Sequence, residues 1–60
     1  MRIFSITELM RMARTELRGL LVRITIELPG FLPNSPEYAN AHVNLQNIRA
    51  AMSRKNLRLS

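Results

Sequence analysis

The sequence contains no cysteine, one histidine and only three aromatic residues. Without cysteine, it has no disulfide, no thiolate metal ligand and no thiol nucleophile, and it is compatible with a reducing compartment. Its longest uninterrupted apolar runs, such as residues 20–22, are far shorter than the roughly 20 residues of a membrane span. We therefore expect a cytoplasmic protein without a membrane partner.

Aspartate is also absent, and the four glutamates stand far apart, at Glu8, Glu16, Glu27 and Glu37. No two of them have the helical spacing of three or four residues, and His42 has neither a second histidine nor a sequence-near acid. A glycine-rich phosphate loop is missing as well. We expect no catalytic residue, no metal site and no cofactor, and therefore not an enzyme.

The charge is strongly positive, because nine basic residues face four acidic ones and give a formal charge of +5. All the basic residues except Lys55 are arginines, which grip phosphate in a bidentate fork and read guanine edges. The charge favours a polyanionic partner without distinguishing DNA, RNA or an acidic membrane surface. A lone chain of 60 residues is also marginal in stability, so we expect a homodimer.

A break rich in proline and glycine, residues 29–34, interrupts what we take as a single domain of residues 1–60. After the break, Ser35 as N-cap and a proline at the first helical position predict a helix over about 35–54. A basic tail, 55–60, follows that helix, and its Arg58 is a candidate phosphate contact.

The apolar spacing before the break predicts a helix over about 14–28. Residues 22–28 also alternate between apolar and polar, which is the pattern of a half-buried strand. We prefer the helix, because a strand there would leave Leu17, Leu20 and Leu21 on an isolated short piece.

Residues 2–12 fit two different structures. Ser5 and Glu8 have the spacing of a capping box, which predicts a helix that begins at Ile6. The β-favouring residues around Thr7 predict a short strand instead, and such a strand is stable only if a second copy pairs with it. The sequence leaves both structures open.

The strand alternative produces a known pattern. Three segments carry it: residues 10–12 leading into residues 14–17, the break at Pro29, and the polar entry to the second helix at residues 34–38. With these segments the chain resembles the ribbon-helix-helix family of DNA-binding proteins, of the Arc repressor type. The resemblance implies a mainly α chain with one short N-terminal β-strand (β-α-α) and an intertwined ribbon-helix-helix homodimer.

The resemblance also implies roles for individual residues. Three side chains at alternate strand positions would read base edges in the major groove: Thr7, Leu9 and Arg11. Three residues near the helix starts would contact phosphate: Arg14, Asn34 and Ser35. Apolar and small residues of the strand and both helices would form the dimer core: Met10, Met12, Leu17, Leu20, Leu21, Ile24, Leu28, Tyr38, Ala41, Leu45, Ile48 and Met52.

Two functions follow from these two structures. The first is a small homodimeric protein that binds double-stranded DNA, either a repressor-type transcriptional regulator or an antidote whose partner is a cognate toxin. The alternative is an all-helical dimer that serves as a protein-protein interaction module and does not bind nucleic acid. A paired strand at residues 2–12 would favour the first function, and a helix there would favour the second.

Overall fold

The computed structural model describes the backbone of residues 1–57 and the side chains of residues 1–55. It contains three helices in this range: α1 (Ile6–Met10), α2 (Arg14–Glu27) and α3 (Pro36–Leu57). A single 3-10 turn, Leu28–Gly30, follows α2 directly. The predicted tail residues 58–60, which include Arg58, lie outside the described residues.

The predicted N-terminal strand is wrong, since residues 1–57 contain no strand and α1 occupies the centre of the predicted segment. The hydrogen bonds of the capping box explain why residues 6–10 form a helix and not a strand. The Ser5 Oγ atom accepts a hydrogen bond from the Glu8 N–H at 3.1 Å, and the Glu8 carboxylate accepts one from the Ser5 N–H at 3.1 Å. These bonds satisfy the helix start locally, whereas a strand would need a second chain. The β-α-α chain and the intertwined ribbon-helix-helix fold are therefore wrong as well.

The alternating segment at residues 22–28 is helical over almost its whole length, because α2 runs to Glu27. Two residues that lie outside the apolar stripe of α2 point to solvent: the exposed fractions of Val22 and Ile26 are 50% and 72%. The Thr25 hydroxyl donates to the Leu21 carbonyl at 2.8 Å, so this β-favouring side chain is satisfied within the helix.

The start of α3 follows from its cap. The Ser35 Oγ atom accepts a hydrogen bond from the Tyr38 N–H at 3.2 Å, and Pro36 occupies the first helical position. The helix continues to Leu57, three residues beyond the predicted end. Arg54 and Lys55 stand in its last turn, where cations complement the helix dipole.

The core is formed within one chain, because α1 and α2 both pack against α3. Seven apolar residues are buried there: Leu9, Leu17, Ile24, Ala41, Leu45, Ile48 and Ala51. Partly buried side chains pack around this cluster, among them Met10, Met12, Leu20, Leu21, Leu28 and Met52. Tyr38 is half-buried. Most residues predicted to form a dimer core thus cover one another inside a single chain.

Candidate binding surfaces

Residues 1–4 lie as an extended segment along α3, held by three asparagines that we call the asparagine ladder: Asn40, Asn44 and Asn47. The Asn40 and Asn47 amides donate to the carbonyls of residues 1 and 4 at 2.8 and 2.9 Å. Asn44, which has no exposed surface, accepts from the N–H of Phe4 at 2.8 Å and donates to the carbonyl of Arg2 at 2.8 Å. The ladder satisfies four backbone groups and fixes the path of the segment.

Arg2 links the N-terminal segment to α1. Its guanidinium forms a salt bridge with the Glu8 carboxylate and lies 4.3 Å from the centroid of the Phe4 ring. The hydrogen bond from Arg2, followed by the backbone bond from Ser5, lowers the pKa of Glu8 below its usual value of 4.5. The positive charge of Arg2 is therefore held in a fixed place above an aromatic ring.

A groove of about 390 Å³ runs between the N-terminal segment and α2. We call it the apolar groove. Five apolar side chains line it: Met1, Phe4, Leu20, Ile24 and Phe31. Three charged side chains complete its lining: Arg2, Arg23 and Glu27. Arg23 and Glu27 form an exposed ion pair at 3.9 Å. An apolar surface with a few fixed charges is typical of binding sites, and the volume lies within their range of about 300–1,000 Å³.

A second depression, of about 340 Å³, lies between the start of α2 and the end of α3. We call it the basic recess. Arg14, Thr15, Arg18 and Met52 line it. On α3, Arg49 and Lys55 stand three residues before and after Met52, which places them on neighbouring turns of the same helix. The two charged residues in the described lining of this recess, Arg14 and Arg18, are both basic.

The structure does not bring the three predicted base-reading residues onto one exposed edge. Thr7 is exposed on α1 and Arg11 is exposed at its C-cap, but Leu9 has no exposed surface and belongs to the core. The alternation that grouped them required the strand, which is absent from residues 1–57. Leu9 in this structure is covered by protein on all sides and cannot reach a base.

The predicted phosphate contacts are separated as well. Arg14 lines the basic recess at the start of α2, whereas Asn34 and Ser35 lie beyond the other end of α2. The Ser35 hydroxyl is already used, because it donates to the Leu32 carbonyl at 2.7 Å and caps α3. Of the three residues, Arg14 is the one that the fold places beside other cations.

The described residues form neither a metal site nor a membrane span. Among them, no group of three or more His, Asp or Glu side chains could hold a metal ion. His42 instead packs edge-on against the Tyr38 ring, with the ring centroids 4.6 Å apart. Within residues 1–57, no helix combines the length and the apolar character needed to cross a bilayer.

Comparison with known proteins leaves the fold as the basis for classification. No protein-family model, curated protein or solved structure matches the chain. The chain is therefore described by its architecture, a small three-helix domain with an apolar groove and a basic recess on different sides of α2.

The asparagine ladder is the functional feature that sequence reasoning missed. Its residues recur at spacings of four and three, so a helical projection of α3 places them on one face beside the apolar stripe. Amides beside a stripe predicted to be buried need hydrogen-bond partners, and this need was the available signal. The partners are the backbone groups of residues 1–4, whose extended path has no local sequence signature.

Proposed function

We propose that this chain is an all-helical protein-protein interaction module whose apolar groove binds an amphipathic segment of a partner protein. The apolar groove itself carries the proposal, since it leaves five apolar side chains lining an open depression in a chain that already has a core. The helix at residues 6–10 also supports it, because this helix replaces the strand that DNA reading required.

The charges at the groove define the chemistry of the occupant. Arg2 and Arg23 contribute two cations to its lining, Glu27 contributes one carboxylate beside Arg23, and the whole chain carries a charge of +5. Large apolar anchors would fill the groove, and acidic residues beside them would meet the arginines. An amphipathic helix presents such anchors at spacings of three and four residues. The occupant is therefore an acidic amphipathic helix.

A cognate toxin is one protein that could supply the acidic helix, and the absence of cysteine supports a cytoplasmic location. A second copy of the chain is a poorer occupant, because its own charge of +5 would meet the same two arginines.

Leu20→Glu tests the groove, and Leu21→Glu is its matched control. The two leucines are adjacent in α2 and both half-buried against the core, but only Leu20 lines the groove. Peptides would be selected against the wild-type protein from a displayed library of helical sequences with apolar anchors and varied flanking residues. Circular dichroism must show that both variants remain helical.

We expect the selected peptides to combine large apolar anchors with Asp or Glu. Leu20→Glu should weaken their binding by about tenfold to a hundredfold, since one leucine contact contributes ~1.5–3 kcal/mol. Leu21→Glu should bind as the wild type does, and Arg23→Glu should weaken binding of the acidic peptides. Equal binding by the two leucine variants, or a selection without enrichment, would overturn the proposal.

Sedimentation of the wild-type protein tests whether a second copy of the chain fills the apolar groove. A dimer that Leu20→Glu dissociates and Leu21→Glu preserves would show that the groove holds a second copy. Such a result would replace the acidic partner with a homodimer.

A further inference from the structure

The basic recess is lined by two cations of α2, and two further cations of α3 stand one turn from its Met52. Arg14 and Arg18 are four residues apart in α2, so the helical rise of 1.5 Å per residue separates them by ~6 Å along the axis. Met52 of α3 lies opposite them in the lining of the recess. Arg49 and Lys55 stand one turn before and one turn after Met52, and Arg49 is exposed.

Three of the four glutamates lie away from the recess. Glu8 is bonded to Arg2, and Glu27 lies beside Arg23 on the groove side of α2. The Glu16 carboxylate bends back to accept the Ala13 N–H at 2.9 Å. Glu37 lies in the first turn of α3, at the opposite end of that helix from Met52. Glu16 alone among the glutamates lies near the recess, and the recess lining itself holds two arginines.

We propose that the basic recess is a second binding site, which takes the phosphate backbone of double-stranded DNA. Its cations are mainly arginines, whose planar forks match phosphate oxygens. A duplex presents about one negative charge per 1.7 Å of its axis, so several phosphates would lie opposite cations spread over two helices. The site is concave and fits the ridge of a strand, whereas a bilayer offers a flat surface. It contacts backbone alone and carries no sequence preference.

Arg18→Gln and Arg49→Gln test the site, with Arg23→Gln as the matched control. All three variants remove one exposed arginine from a helix, but Arg23 lies at the apolar groove. Fluorescence anisotropy would measure binding of a labelled DNA duplex of arbitrary sequence at several salt concentrations. We expect each recess variant to weaken binding by about tenfold and to reduce the salt slope by about one. The control should stay within about twofold of the wild type, since only distant charge is lost.

Three outcomes would overturn the proposal. Equal losses in all three variants would mean that net charge alone attracts the duplex. Tighter binding of a single-stranded RNA of the same length would assign the recess to another nucleic acid. Binding to phosphatidylserine vesicles without binding to the duplex would assign it to a membrane surface.

This proposal is independent of the apolar groove, because the two surfaces share no lining residue. Arg18→Gln should leave peptide binding at the groove unchanged. Failure of one site would therefore not be mistaken for failure of the other.

Discussion

At the scale of single residues, Asn44 connects distant parts of the chain. Its side chain has no exposed surface, and both ends of its amide are bonded to the N-terminal segment, at Phe4 and Arg2. A buried amide stabilises a protein only when it is bonded in this way. The position of one wall of the apolar groove therefore depends in part on this side chain of α3.

Asn44→Ala should lower the free energy of unfolding by about 2–4 kcal/mol, because it leaves the N–H of Phe4 and the carbonyl of Arg2 without partners. Urea unfolding followed by circular dichroism measures the change. Gln46→Ala, at an exposed position of the same helix, is the control and should stay within about 0.5 kcal/mol of wild type. If Asn44→Ala were as stable as this control, the ladder would not hold the segment.

The sequence predicted residue roles where the hydrogen bonds are local. The caps at Ser5 and Ser35 have partners three residues away, so spacing alone was enough to find them. The partners of Asn44 are 40 and 42 positions away. No periodicity connects such residues, and the groove that they build was consequently not predicted.

At the scale of elements, α1 is only five residues long and depends on its capping box. Isolated helices of this length are unstable in water, so tertiary contacts must contribute. Leu9 supplies such a contact by burying its side chain in the core. The sequence contained both the strand pattern and the capping box, and the box prevailed because it needs no second chain.

The salt bridge at α1 should make stability dependent on acid. The pKa of Glu8 is lower in the folded chain than its usual value of 4.5, chiefly because of the Arg2 hydrogen bond. Its stabilising contribution is therefore present above about pH 4.5 and is lost as the pH falls through the lowered folded pKa. Glu8→Gln should remove that part of the acid dependence, as measured by the thermal midpoint from neutral to acid pH.

Arg2→Gln tests the same salt bridge by removing its other partner. It removes the largest cause of the lowered Glu8 pKa and should flatten the acid dependence in the same way. If both variants kept the wild-type acid dependence, it would originate in other carboxylates. The prediction for α1 would then be incorrect.

At the scale of the whole molecule, α3 is the shared support of the fold. α1 and α2 pack on it, and the N-terminal segment is bonded along it. Leu17 and Ile24 bury completely or nearly so within this one chain. The length of the chain predicted that a second copy would be needed to bury the core. In the structure, α1 and the N-terminal segment cover the core instead.

The thermal midpoint should therefore be independent of protein concentration over about a hundredfold range, because no second chain is needed to close the core. Differential scanning calorimetry at low and high concentration measures this. A midpoint that rises with concentration would show that association contributes to stability, as the homodimer prediction requires.

The helices α2 and α3 were predictable because their apolar spacing and caps are local properties of the sequence. The prediction for α2 was about 14–28 and the helix is Arg14–Glu27. The packing of α1 on α3 was not predictable in the same way, since it depends on the hydrogen bonds of the N-terminal segment. The positions of the two long helices were therefore predictable, whereas the strand predicted for the residues before them was wrong.

The bond between Phe4 and Asn44 has a consequence for isotope exchange. The Phe4 N–H is bonded to the ladder while its ring lines the apolar groove. This hydrogen can exchange with deuterated water only when the segment lifts from α3. An occupant that binds the closed groove must slow that opening, so the lifetime of a single backbone hydrogen reports whether the groove is filled.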